Sequence, residues 1–171
     1  MRRALAIGPL IVMAALVLVF GLYAINHNPE VIPRATVGQP APMDVLPLLD
    51  GGRPVTVRAL VKGPTLVNFF GSYCVPCVEE APTLAALRAE GVQVIGIAWK
   101  DDPAKTREFL QRYGDPYRAV LVDSSGRAGI DFGLTGVPET YLVGADGRIL
   151  DKRAGAMSPA DAEALLGRAG P

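Results

Sequence analysis

Thr65-Leu66-Val67-Asn68-Phe69-Phe70-Gly71-Ser72-Tyr73-Cys74-Val75-Pro76-Cys77 is the stretch on which the fold turns. Its first six residues form a short apolar run, opened by Lys62-Gly63-Pro64 and closed by Gly71-Ser72. That is the pattern of a central strand buried on both faces. The period then changes: over residues 75–89, Val78, Leu84 and Leu87 recur at helical spacing. Two cysteines therefore stand where a buried strand turns into a helix. A thiol there meets unpaired N–H groups and the positive end of the helix dipole, which favour its thiolate. The thiolate is the attacking species in disulfide exchange. Cys74, further out, is expected to attack, and Cys77, one turn in and more buried, to resolve the mixed disulfide. Pro76 between them removes a donor and stiffens the turn. One plain alternative is a structural disulfide, although so small a loop constrains the unfolded chain little. The other is half a metal site, which needs ligands from elsewhere, although copper transfer uses only two thiolates.

Outward from this stretch, strands and helices alternate. Toward the N-terminus, residues 45–49 and 55–57 flank Asp50-Gly51-Gly52 as a hairpin candidate. Toward the C-terminus, residues 92–98 read as a second buried strand. A helix opens at Asp101-Asp102-Pro103, with proline inside an acidic first turn, and runs to about Tyr113. A third strand covers 119–122, and 126–132 holds a short helix. Residues 140–143 and 149–153 form a hairpin about Asp146-Gly147. A last helix begins at Ser158-Pro159 and ends near Gly167. Alternation followed by a hairpin and a helix predicts an α/β domain: a central mixed sheet flanked by helices.

The chain has 171 residues, half of them apolar and 20% charged, which suits one domain plus an appendage. That length supports a core without staples. The 17 basic and 17 acidic side chains balance, so no polyanion or nucleic-acid surface is expected. Two cysteines and one histidine exclude a zinc site of four protein thiolate and imidazole ligands, and also a disulfide-dense scaffold. No metal site and no bound cofactor are expected beyond the redox-active pair.

The appendage is N-terminal. Residues 4–25 are a run of 22 without a charge. At ~1.5 Å per residue they reach about 33 Å, enough to cross a bilayer core of roughly 30 Å. Arg2 and Arg3 precede the run and the first acid, Glu30, follows it. The expected topology keeps residues 1–3 in the cytoplasm and exports the rest. The run is longer than a signal-peptide core, and Phe20-Gly21-Leu22-Tyr23-Ala24 offers no clean small-x-small cleavage site, so an uncleaved transmembrane helix is expected. Pro29, Pro33, Pro40 and Pro42 favour an extended tether over 26–37, with His27 a solvated linker residue, before a domain spanning 38–171.

Residues 67–77 resemble the active-site region of thioredoxin-like proteins. Cys77-Val78-Glu79-Glu80-Ala81-Pro82-Thr83-Leu84 is similar to the C-x-x-E-x-P-x-L pattern of their membrane-tethered, exported branch. Gly133-Leu134-Thr135-Gly136-Val137-Pro138-Glu139-Thr140-Tyr141 is similar to the G-V-x-G-x-P-E-T-F signature of the thioredoxin-like reductases of bacterial cytochrome c maturation, the CcmG/DsbE type. Lys100-Asp101-Asp102 with Lys105, then Gly114-Asp115-Pro116-Tyr117 and Asp123, also resemble that family, over residues 38–165 in all. Tyr73 departs from it, standing where a tryptophan usually precedes the first cysteine. Asn68 occupies the place of thioredoxin's buried aspartate, as is usual in this branch.

The resemblance implies a thioredoxin-like fold and carries several residue roles. Pro138 becomes a cis-proline facing the cysteine pair, with Val137 offering its backbone to an extended peptide beside Tyr73. Glu80 and Glu139, and less so Asp123, become acidic surroundings that oppose thiol ionisation. The plainer readings are a solvated helix-face charge for Glu80 and a strand-end turn residue for Asp123. The implied activity is reduction of the haem-attachment cysteines of apocytochrome c, directly or through a thiol-bearing maturation partner. The implied place is the periplasmic face of a bacterial inner membrane, with a membrane electron donor of CcdA or DsbD type recharging the pair. The rivals are a reductant of copper-site cysteines in cytochrome oxidase assembly, a disulfide-introducing oxidase and a metal-carrying adaptor.

Overall fold

The computed structural model describes residues 2–26 and 36–170. The chain divides into two compact units, 1–32 and 33–171. The expected tether, His27 included, lies mostly outside the described residues.

The first unit is α1, Arg2–Asn26, with Pro9 inside it. From Ile11 to Tyr23 every large apolar side chain is at least half exposed, on all sides of the helix. That continuous stretch is about 20 Å long. Among the described residues no helix is long and apolar enough to cross a membrane.

The second unit opens with a minimal hairpin. β1 (Val45–Leu46) pairs antiparallel with β2 (Val55–Thr56). Val57 does not extend the strand as expected. It opens α2 (Val57–Leu60), because the Thr56 hydroxyl accepts from the Ala59 N–H and caps a single turn. Residues 47–49 leave the hairpin too, since Pro47 has no N–H to pair. They run along a later strand instead: Val122 N–H donates to Pro47 O and Leu49 N–H to Val120 O.

β3 (Thr65–Phe70), α3 (Val75–Ala89), β4 (Gln93–Trp99), α4 (Pro103–Tyr113), β5 (Ala119–Asp123), α5 (Arg127–Phe132), β6 (Glu139–Val143), β7 (Ile149–Ala154) and α6 (Pro159–Leu166) follow within a few residues of their expected places. The five-stranded sheet has the order β5-β4-β3-β6-β7. β3, β4 and β5 run parallel, and β6 and β7 complete it antiparallel. The expected mixed sheet with flanking helices is therefore present.

β3 lies at the centre with every residue buried. Its alternation divides the core in two. Leu66 and Phe70 face a cluster with Leu84 and Leu87 of α3, Phe109 of α4 and Leu165 of α6. Val67 and Phe69 face a second cluster with Ala128 and Phe132 of α5. Asn68 shares the first face, since strand side chains alternate. A polar side chain thus sits in the row between Leu66 and Phe70, and burial there demands partners for it.

Candidate functional site

The site begins where β3 ends. Cys74 is the N-cap of α3, and its Sγ accepts from the Cys77 N–H at 3.2 Å. The sulfur therefore occupies the place where an N-cap oxygen normally takes one of the helix's unpaired donors. Fifteen residues of helix follow it, with their dipole's positive end at the sulfur. Cys74 and Cys77 are disulfide-bonded, with Cα atoms 5.3 Å apart. Both are buried, Cys74 at 6% and Cys77 at 3% exposure, so the contrast between them is smaller than their sequence positions suggest.

Exposed groups surround this buried pair. Val75 is 71% exposed and Tyr73 55%. The Tyr73 hydroxyl donates to Trp99 O at 2.9 Å, and its ring lies over Gly71, where an added Cβ would meet it at 2.7 Å. The Tyr73 ring is thus held in place next to Cys74. Asp101 anchors the turn ahead of it: its carboxylate accepts from the Ser72 N–H and the Ser72 hydroxyl, both at 2.7 Å, and from the Thr106 hydroxyl at 2.9 Å. The Val137–Pro138 peptide bond is cis. Val137 packs against the apolar cluster that contains both cysteines.

Beneath the pair, Glu80 is 1% exposed and not a solvated helix-face charge. It lies three residues after Cys77 on the buried side of α3, the spacing that places two side chains on one helix face. Its Oε1 accepts from Asn68 Nδ2 at 2.8 Å and its Oε2 from the Met157 N–H at 3.0 Å. Burial pushes the Glu80 carboxyl up to about 7, and the two hydrogen bonds offset part of that rise. Asn68 Nδ2 also donates to Thr140 Oγ1 at 2.9 Å, directly across the β3–β6 register, and its Oδ1 accepts from the Tyr117 hydroxyl at 2.7 Å.

Glu139 is differently placed. It is fully buried and its Oε1 lies 2.6 Å from Lys152 Nζ, also buried. Its Oε2 accepts from the Thr135 N–H at 2.9 Å and the Thr135 hydroxyl at 3.0 Å. Lys152 donates in addition to Gly133 O at 3.2 Å. The ammonium cancels much of the field this carboxylate would put on the thiols, so its geometry speaks for tying down the loop before Pro138. Burial and the neighbouring Glu139 push the Tyr141 hydroxyl well up, and it donates to Glu139 Oε1. Asp123 accepts from the Gly129 N–H at 3.0 Å and the Ser125 hydroxyl at 3.2 Å, which makes it a fastener of α5.

Val137 thus shares the apolar cluster of the cysteine pair, Tyr73 precedes Cys74 directly, and Glu80, bound to Asn68, lies one turn beyond Cys77. The sequence alone does not predict the pairing of Lys152 with Glu139 or the hydrogen bond of Tyr117 to Asn68. No local signal marks them, since each partner lies far off in sequence. Among the described residues no group of three or more His, Cys, Asp or Glu is arranged to hold a metal ion.

Residues 36–166 match the Redoxin family. Among proteins of similar sequence, the thiol:disulfide interchange protein HelX of Rhodobacter capsulatus is 39% identical over 92% of this chain and 90% of its own. The thiol:disulfide interchange protein DsbE of Allochromatium vinosum is 40% identical over 95% of this chain and 87% of its own. Among solved structures, a putative DsbE from Chlorobium tepidum superposes with a TM-score of 0.62 at 27% identity, over 75% of this chain and 92% of that one. The chain belongs to the Redoxin family, as a thiol:disulfide interchange protein of thioredoxin-like fold.

Proposed function

We propose that the protein is a membrane-anchored reductant acting outside the cytoplasm on the haem-attachment cysteines of apocytochrome c, directly or through a thiol-bearing maturation partner. The observation that carries the chemistry is Cys74 Sγ at the N-cap of α3, accepting from the Cys77 N–H. The reduced pair begins the cycle. Cys74 thiolate attacks one sulfur of the substrate disulfide, forming a mixed disulfide and releasing the other sulfur as thiolate. Cys77 then gives its proton to the Glu80 carboxylate and attacks Cys74 Sγ. The second substrate sulfur leaves, and two electrons have passed to the substrate while Cys74–Cys77 has become a disulfide. A carboxyl titrating near 7, one turn from Cys77, suits that proton transfer at neutral pH. A membrane dithiol donor of CcdA or DsbD type recharges the pair.

Tyr73, Val137 and Pro138 are assigned to substrate binding: an extended peptide lies along the Val137 backbone beside the Tyr73 ring. Pro76 shapes the turn and Asn68 orients Glu80. Support for the substrate comes from the likeness of residues 133–141 to the cytochrome c maturation signature. Support for the anchor comes from α1, apolar on all sides from Ile11 to Tyr23, together with Arg2 and Arg3 ahead of it. In this reading residues 1–3 are cytoplasmic, 4–25 span a bacterial inner membrane, 26–37 form a tether and 38–171 work in the periplasm. Tethering raises the effective concentration of the pair near membrane partners.

The test is Cys77→Ala expressed as the full chain in a cytochrome-producing bacterium. It is expected to accumulate a mixed disulfide through Cys74 with a cytochrome c precursor or its thiol-bearing partner. Recovery of only unrelated proteins overturns the substrate assignment.

A further inference from the structure

We propose that Tyr117 is a positioning residue whose hydroxyl locks the Asn68 side-chain amide with its N–H groups toward Glu80, thereby favouring the ionised form of that carboxyl. Its mechanistic consequence rests on the reading that Glu80 takes the Cys77 proton; the positioning itself does not.

An amide and a carboxyl differ in what they can donate. An ionised carboxylate only accepts, so it needs Nδ2 of Asn68 facing it, as found at 2.8 Å. A protonated carboxyl has a hydrogen to give, and an amide turned over would receive it on Oδ1. The orientation found, Nδ2 toward Glu80, thus favours the ionised carboxyl, and the amide turned over would favour the protonated one. Thr140 does not choose between the positions, because a hydroxyl can accept from Nδ2 or donate to Oδ1.

Tyr117 does choose. Its hydroxyl donates to Asn68 Oδ1 at 2.7 Å, and among the described residues Asn68 is its partner. Turning the amide over presents Nδ2 to the phenol oxygen and leaves the phenol hydrogen without an acceptor in a buried place, which is costly. Ionisation of the phenol offers no escape, since burial and the nearby Glu80 and Asp115 raise it well above its ordinary range.

The ring is held so that the hydroxyl cannot swing away. It stacks on Phe70 with centroids 4.8 Å apart and covers Gly96 of β4, where an added Cβ would meet it at 2.8 Å. Arg88 of α3 donates to the Tyr117 backbone carbonyl, and the Tyr117 N–H donates to Asp115 at 2.9 Å. Among the described residues, the titratable and charged groups these contacts and the shared cluster bring to these hydrogen bonds are Cys74 ahead of α3, Cys77, Glu80 and Arg88 on α3, and Asp115 and Tyr117 ahead of β5. β3, β6 and the segment before α6 bring Asn68, Thr140 and the Met157 N–H, none of which titrates.

The experiment uses the oxidised full-length chain, in which the thiols cannot titrate, carrying glutamate labelled with 13C at the side-chain carboxyl. The Glu80 resonance is assigned by its loss in Glu80→Gln. Tyr117→Phe is expected to raise the Glu80 midpoint, strengthening proton binding by roughly three-fold or more, as loss of one orienting hydrogen bond implies. A merely structural hydroxyl would lower the melting temperature and leave that midpoint in place, and this result overturns the proposal. Should Tyr117→Phe not fold, 3-fluorotyrosine at 117 supplies a stronger donor of nearly the same shape. It is expected to move the midpoint down, and a midpoint that stays or rises overturns the proposal. The underlying reading fails separately: in the reduced protein, Glu80→Gln would then leave the pH profile of Cys77 alkylation unchanged.

Discussion

Burial lifts the Glu80 carboxyl to about 7 from an ordinary 4.5, and this ties stability to pH. Between those values the folded protein keeps a proton that the unfolded chain has released. The contribution is therefore fully present below about 4.5, declines as pH rises and is gone above about 7, a loss on the order of 3 kcal/mol. Urea unfolding of the oxidised protein at pH about 4, 6 and 8 is expected to show this decline in wild type relative to Glu80→Gln, which lacks it. Glu139, by contrast, has a cation as its partner. Lys152→Met leaves a buried carboxylate without a counter-charge and is expected to cost about 3–5 kcal/mol in chemical denaturation, partly recovered by adding Glu139→Gln. Cys74 and Cys77 were legible because their chemistry follows from local spacing, whereas Tyr73 drew notice through a resemblance. Glu80 drew notice only through a resemblance, and its burial followed from the packing of α3. Lys152 stayed hidden, since strand alternation in β7 says which face a side chain takes and nothing of a carboxylate on β6.

Strand β4 shows how an element positions the site without touching substrate. Its Gly96 leaves room for the Tyr117 ring, and Gly96→Ala would press a methyl against both that ring and Phe70, each within 2.9 Å. The expected cost is about 1–3 kcal/mol, read as a lowered urea midpoint with an unchanged m-value. At α6 a capping box joins Ser158 and Asp161, and the Ser158 hydrogen bonds hold the Asp161 carboxyl below its ordinary range. Most elements could be read from local signals: β3 by its mainly apolar run between Gly-rich ends, α4 by Asp102 and Pro103 at its start. The places where period failed are short. Val57–Leu60 is a single turn, too brief to show a helical repeat, and Thr56 decides it by capping. Residues 47–49 could not be assigned to β5 from sequence, because pairing across more than 70 residues leaves no local mark.

The whole molecule joins an apolar helix to a folded domain, two units that the composition already separated. The account expects the full chain to remain with membranes after an alkaline carbonate wash. A chain beginning at Pro33 is expected to be soluble, folded and still competent in disulfide exchange, as far-UV circular dichroism and insulin reduction would show. Fold class was readable at this scale because the strand–cysteine–helix order constrains it, whereas the substrate reading rests on the likeness of residues 133–141 to a family signature. The most direct measurement mixes the reduced full-length protein with a peptide carrying one Cys-x-x-Cys disulfide and follows both disulfides by mass spectrometry. The account predicts one peptide disulfide lost for each Cys74–Cys77 bond formed, with Cys74→Ser inert. Exchange that persists in Cys74→Ser, or a wild-type protein that leaves the peptide oxidised, would contradict it.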